Sequence, residues 1–462
     1  MAGSTAPEPA PAPRARLNTW RMAAFSSPAI PLAALILPIT VYLPDYYATH
    51  LGVDLGVLAV VFMSVRLFDL WADPALGFSM DKTNTRFGRF RPWFVAGAPV
   101  AMLAAFMLFM APEGASGGYL LLWLIAAYLG QSMAQLAHMS WAATAAPSYD
   151  QRSRVYGWGM GLTVVGLLSV LALPPILQMG FDFTHARAVQ SMGWFIILLI
   201  PPTILLALLV APEPRTAPPA NPPALRLYWE LIKRGSVLRV LAADIAWNTG
   251  PAIAGALFFF YFDALRGYDR SEAGLLLLLY FVGALAGAPL WTRLARKVGK
   301  HRALMLAGVM YAIAQSGVLF IPHEPKWIGI AVMFIAGIPF TAGPALLRAM
   351  MADLGDEERL HGGIDRTGLL FSLLTGSVKI GSAAAVGIGL SSLNAVGFKP
   401  ELAEANSEAA LNTLKFSFSL LPAALGLLTT WLMSGHKLDA AAHADIRRRL
   451  EERDMRLGTA FE

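Results

Sequence analysis

Residues 55–82 read LGVLAVVFMSVRLFDLWADPALGFSMDK, an apolar run interrupted by Arg66, Asp69 and Asp73. About 20 predominantly apolar residues suffice to cross a bilayer, so this run predicts a transmembrane helix. A charge at bilayer depth is costly and marks a functional candidate by default. The spacing i, i+3, i+7 puts all three on one helical face. One arginine can neutralise one carboxylate. Arg66 is expected to pair with Asp69, one turn away, which leaves Asp73 to a proton, a cation or a basic group on another helix. That surplus is the chemistry of a coupling site. The alternative is an internal ion-pair network that only locks helices together.

Beyond this span the chain turns basic, through Asp81-Lys82 to Gly88-Arg89-Phe90-Arg91. A second apolar run ends the same way, in Arg293, Arg296-Lys297 and Gly299-Lys300-His301-Arg302. Both loops hold a glycine and follow the second helix of a six-helix set. That repeat argues duplication and the parallel six-helix halves of a major facilitator fold. Twelve spans are predicted, at 24–48, 55–80, 92–112, 118–146, 154–180, 190–211, 238–263, 271–296, 302–321, 326–353, 365–394 and 411–434. The fold class is an all-α membrane protein. Residues 1–21 read as a disordered cytoplasmic tail and 22–211 as the N-terminal half. A proline-rich cytoplasmic linker fills 212–236, the C-terminal half 237–435, and a charged tail helix 436–462.

Composition agrees. The 462 residues are 56% hydrophobic and only 14% charged, too few charges for a soluble surface of this size. The net charge of +6 reflects topology and not nucleic acid, because basic residues crowd into alternate loops. Arg14, Arg16, Arg86, Arg152, Arg154, Arg226 and Arg447–Arg449 all fall on one side, which places both termini in the cytoplasm. The Pro- and Ala-rich residues 1–20 lack the order of a cleavable signal peptide, so the first span is expected to stay in the protein, and a bacterial-type inner membrane is expected. The absence of cysteine removes disulfides, thiolate nucleophiles and Cys-ligated metals. There is no P-loop, nucleophile elbow or metal-ligand spacing, so neither an enzyme nor a cofactor is expected.

Lys379 is the matching mid-span charge of the second half, in Gly376-Ser377-Val378-Lys379-Ile380-Gly381. It is expected to approach Asp69 or Asp73 across the interface, or to bind substrate. Asn248 (beside Asp244 and Trp247), His138, Trp141, Trp71 and Tyr42 complete the candidate substrate set, since aromatic faces stack on sugar rings while polar groups read hydroxyls. Each aromatic alone is more often core than ligand platform.

The run Arg66-Leu67-Phe68-Asp69-Leu70-Trp71-Ala72-Asp73-Pro74, with Gly77, Asp81-Lys82-Thr83 and Gly88-Arg89-Phe90-Arg91-Pro92-Trp93, resembles the signature of the glycoside–pentoside–hexuronide:cation symporters, the melibiose permease-like family. Ala352-Asp353 and Ser377–Ser382 reinforce it, and the resemblance covers roughly 22–435. It implies alternating access, Asp69 and Asp73 as cation-site carboxylates, and Lys379 as the interior lysine near them. It also implies Gly77, Asp81, Gly88, Arg89, Arg91 and Asp353 as parts of the cytoplasmic gate. The departures are specific. Ala72 and Ala134 stand where the family pattern has an asparagine and a threonine of the cation site. Ala33 and Ala137 stand where it has sugar-reading carboxylates, Leu162 where it has an arginine and Pro344 where it has a tryptophan. Sodium wants several hard oxygen ligands at once, so a proton is favoured as coupling ion. The expected activity is cation-coupled symport of a sugar, glycoside or sugar acid by a monomer. Animal relatives of the family move lysophospholipids, which makes an amphiphile the alternative cargo. A non-transporting sensor or assembly factor is the alternative of another class.

Overall fold

The computed structural model describes residues 18–145, 149–211, 225–362, 366–436, 438 and 440–456. Twelve helices among them are long and apolar enough to span a membrane. In the first half these are α1 (Thr19–Thr49), α2 (Leu55–Lys82), α3 (Arg91–Phe109), α4 (Gly117–Ala142), α5 (Arg154–Phe181) and α6 (His185–Val210). The second half holds α7 (Gly235–Arg266), α8 (Arg270–Val298), α9 (Lys300–Phe320), α10 (Lys326–His361), α11 (Thr367–Ala395) and α12 (Glu408–Ser434). A further helix, α13 (Ala440–Arg456), follows. Large apolar side chains such as Leu209, Phe320 and Trp431 point outward. Such an exterior needs lipid as its solvent.

Local chemistry sets the helix starts. Asp54 caps α2 through the amides of Gly56 and Val57, and Thr184 caps α6 through Arg187. Asp269 and Glu272 form a reciprocal capping box on α8, satisfying amides that the helix itself cannot. The first span starts at Thr19, capped by Asn18, several residues before the position read from hydropathy. A short helix, Leu225–Ile232, forms within the segment read as a proline-rich linker. Residues 1–17, 212–224 and 457–462 of the expected tails and linker lie outside the described residues.

Small residues let helices close. Gly283 and Gly287 of α8 lie directly against the carbonyls of Phe334 and Ile338 on α10, where any Cβ would collide. Gly157, Gly159 and Gly161 of α5, by contrast, have open space around them. Between the halves α1 packs on α7, α2 on α11, and α5 on α8. The duplicated basic loops are both turned by a left-handed glycine, Gly88 at φ 112° and Gly299 at φ 91°.

Candidate functional site

The α2–α11 seam brings the charges together. Gly387 lets the helices meet, since a Cβ there would stand 3.0 Å from the Met63 sulfur. Lys379 Nζ lies 2.8 Å from Asp69 Oδ2 and 2.6 Å from Asp73 Oδ2, and it donates to the Asp69 carbonyl at 3.0 Å. Its three ammonium protons thus have three acceptors. Two carboxylates share one cation. Asp69 Oδ1 also takes the Ser132 hydroxyl of α4, at 3.4 Å. Asp73 Oδ1 is buried with no partner among the described residues.

Arg66 does not follow the expectation. Its guanidinium rests 4.7 Å from the Tyr128 ring centroid, its Nε is buried without a partner, and it makes no ion pair with Asp69 among the described residues. The reason is competition: Lys379 reaches both carboxylates from across the seam. Arg66 instead lines a cavity of about 220 Å³ walled mainly by α1, α7, α8, α10 and α11. The wall is aromatic, with Phe258, Phe281 and Phe340 alongside Trp247, Asn248 and Ser382. One turn before Asn248 lies Asp244, a buried carboxylate that accepts from the Ser377 hydroxyl at 2.6 Å and the Asn248 amide at 3.1 Å.

Of the expected substrate group, Asn248 alone is among the residues lining this cavity. Lys379 is held by the two carboxylates. Trp141 is fully buried against Phe25 and Phe94. His138 Nε2 donates to the Phe25 carbonyl at 2.8 Å, in the same packing. Trp71 points away from the seam and is 76% exposed, because i+2 from Asp69 is the opposite helical face. Tyr42 packs on Phe259 of α7, its hydroxyl turned toward Gly274 of α8. These four side chains serve packing, sealing or the outer surface.

A second buried cluster was missed. Arg270 at the start of α8 grips Asp45 of α1 through Nε at 3.0 Å and Nη2 at 3.3 Å. His185 of α6 stands 3.4 Å from the same carboxylate, and Arg270 also lies 3.4 Å from Asp263 of α7. This cluster ties the halves at the end of the bundle opposite the two basic loops. Asp45 is the lone acidic residue of its span, a signal that was present in the sequence.

At the basic-loop end, Arg89 pairs with Asp81 and its Nε donates to the Met80 carbonyl at 3.2 Å. Arg91 reaches the Ala211 carbonyl at 2.5 Å and lies over Trp141, which braces α3 against the end of α6. Gly77 has open space beside it. Lys300 holds Asp353 at 2.7 Å, and His443 of α13 sits 3.0 Å from Asp356 and 3.4 Å from Asp353. Nearby, burial pushes His436 down to about 4, with help from His301 and Arg239.

Two six-helix halves, charges meeting at their seam and a cavity between them define a multi-pass membrane transporter of the major facilitator type. The MFS/sugar transport protein family model matches residues 24–440, so the chain belongs to that family, which contains the glycoside–pentoside–hexuronide:cation symporters. The isoprimeverose transporter of Lactiplantibacillus pentosus is 24% identical over 409 residues, covering 83% of this chain and 81% of its own. The sodium-dependent lysophosphatidylcholine symporter 1 of Gallus gallus is 21% identical over 455 residues, 89% of this chain and 85% of its own. Among solved structures, the nucleoside transporter NupG superposes with a TM-score of 0.66 at 12% identity, covering 91% of this chain and 99% of that one, a likeness of fold alone.

Proposed function

We propose that this chain is a cation-coupled symporter that moves a sugar, glycoside or sugar acid across the inner membrane by alternating access. The observation that carries the reading is Lys379 shared by Asp69 and Asp73 across the seam. A static scaffold has no need of a surplus carboxylate in a place where charge is expensive. When a cation or proton takes one carboxylate, the grip of Lys379 on that side weakens, and the contact between halves loosens with it. The names of relatives such as the isoprimeverose transporter support the cargo class. Both termini lie in the cytoplasm in this reading, the protein acts as a monomer, and it performs no covalent chemistry.

A proton is the favoured coupling ion. Asp73 Oδ1 is open to one. Around the pair the only further side-chain oxygen bonded among the described residues is that of Ser132, at 3.4 Å, whereas sodium wants several at once. The lysolipid reading draws on the apolar cavity wall and on the lysophosphatidylcholine relative. Counterflow in proteoliposomes over a panel of sugars, glycosides and lysolipids separates the cargoes. Imposed proton and sodium gradients separate the ions. Accumulation driven by sodium at clamped pH, with no response to a proton gradient, would reverse the choice of ion.

A further inference from the structure

One buried acid takes no part in either charge cluster. Asp244 of α7 is 2% exposed and makes no ion pair among the described residues. Asp69 and Asp73 have Lys379, and Asp45 has Arg270. The side-chain partners of Asp244 are neutral, the Ser377 hydroxyl at 2.6 Å from Oδ2 and the Asn248 amide at 3.1 Å from Oδ1. Charges on the neighbouring helices are turned elsewhere. Lys379, two residues beyond Ser377 on α11, is taken by α2. Arg348 of α10 is exposed and acts on the acid through its field alone. From α9 the Tyr311 ring packs on Trp247, and from α12 the Thr429 hydroxyl reaches the Ala243 carbonyl at 3.4 Å. The contact of α1 with α7 comes farther on, where Val41 lies against Gly255. Close packing seals the α11 side, since the Thr249 hydroxyl meets the Gly381 carbonyl at 3.2 Å. A carboxyl buried in this way needs a cation or a proton.

The hydrogen bonds say which. Ser377 carries one hydroxyl proton. Its oxygen stands 2.6 Å from Asp244 Oδ2 and 2.8 Å from the Leu374 carbonyl. If Asp244 is ionised, both of these only accept, and one proton cannot serve the two. With a proton on Asp244 the chain closes. Oδ2–H donates to Ser377 Oγ, and the Ser377 hydroxyl donates to Leu374. Oδ1 still accepts from Asn248, whose amide also donates to the Asp244 carbonyl at 2.8 Å. These two acceptors hold the amide nitrogen, which leaves the amide oxygen as the group that Asn248 can offer to the cavity it lines. We infer that Asp244 is a second proton-binding carboxylate, set in the opposite half from Asp69 and Asp73, and that it carries its proton in the state seen here. Its part in a transport cycle rests on the proton-coupled reading above. Because Asn248 joins the acid to the cavity wall, a ligand at that wall and the proton on Asp244 act on one another.

The proton is its own probe. Infrared spectra of the purified full chain, in a maltoside detergent that has no carbonyl group, should contain the carbonyl stretch of a protonated carboxyl at neutral pH. That component should disappear in Asp244→Asn and persist in Asp73→Asn. Ser377→Ala keeps the acid and removes its acceptor, so the component should remain and change frequency. No such component in the wild type, one that survives Asp244→Asn, one that is lost in Asp73→Asn, or one unmoved by Ser377→Ala overturns the inference. If Asp244→Asn does not fold, the other two variants decide, because both leave Asp244 in place. Uptake of phenyl β-D-glucoside into proteoliposomes keeps the two readings apart. No uptake on a proton gradient, with the component assigned to Asp244, would count against the cargo reading and leave the proton site standing. Proton-driven uptake, with a component indifferent to Asp244→Asn, would leave the transport reading standing and this inference lost.

Discussion

Two clusters of buried charge bridge the halves, and they are built from different cations. At Asp45 a guanidinium gives two N–H bonds to one carboxylate, His185 adds a third neighbour, and both carboxylate oxygens have partners. At the α2–α11 seam one ammonium serves two carboxylates, and Asp73 keeps an oxygen with no partner among the described residues. A planar fork fixes direction, whereas an ammonium is a point charge on a flexible stem that can pass between acceptors. The first arrangement suits a lock and the second an exchange site. One fold can therefore carry a fixed contact and a switchable one between the same two bodies.

The largest effect should come from removing the shared cation. Lys379→Met leaves two carboxylates without their partner, and breaking a buried pair in this way costs about 3–5 kcal/mol. Gradient-driven accumulation should fall by about 100-fold or more, measured as uptake in proteoliposomes after checking that the variant is monodisperse. Adding Asp73→Asn should restore part of the folded yield, since only one carboxylate then remains. No improvement in the double variant would mean that the two aspartates do not compete for Lys379.

Asp73→Asn alone should lose accumulation and keep a part of exchange. The amide mimics the protonated acid, so the carrier can still reorient while gradient energy no longer enters. Accumulation retained at the wild-type level would move the exchange site away from Asp73.

Arg270→Gln tests the other side of the comparison. If the outer cluster is a lock, its loss should favour states open at that end. Reaction of Ser382→Cys with an impermeant maleimide applied from that side should quicken on the order of tenfold, as a shift of one to two kcal/mol in a two-state balance requires. An unchanged labelling rate would reduce the cluster to a packing feature.

Much of this is legible in the sequence alone. Twelve apolar runs and two glycine-bearing basic loops specify the architecture, because membrane thickness sets span length and charge sets orientation. The aspartates of α2 stand out for the same reason. Partner choice did not stand out. Spacing places Arg66 near Asp69 along one helix, yet it says nothing of a lysine arriving from 310 residues away. Trp71 could have been set aside on helical geometry, since a residue two from Asp69 and two from Asp73 faces the other way. Asp45 was visible as a lone acid in an apolar span. Its partner Arg270 carries no such signal, because a helix-start arginine looks the same in the sequence whether it faces water or another helix.

The smallest predicted effect lies at the basic-loop end, where a histidine plays the opposite part to the cations above. His436 is held neutral, mainly by burial and further by His301 and Arg239, with its pKa near 4 against an ordinary 6.5. Between those values the unfolded chain takes up a proton that the folded chain refuses. The stability that depends on neutral His436 is therefore complete above about pH 6.5 and is lost as the pH falls toward 4. The two charge-pairing clusters differ from it in gaining from ionisation. Thermal unfolding in detergent should show the melting temperature falling on going from pH 7.5 to pH 5, and His436→Gln should remove about 2–4 °C of that fall. Equal slopes in the two proteins would mean that His436 is free to take up its proton in the folded state, and that this end of the molecule carries no penalty for charge.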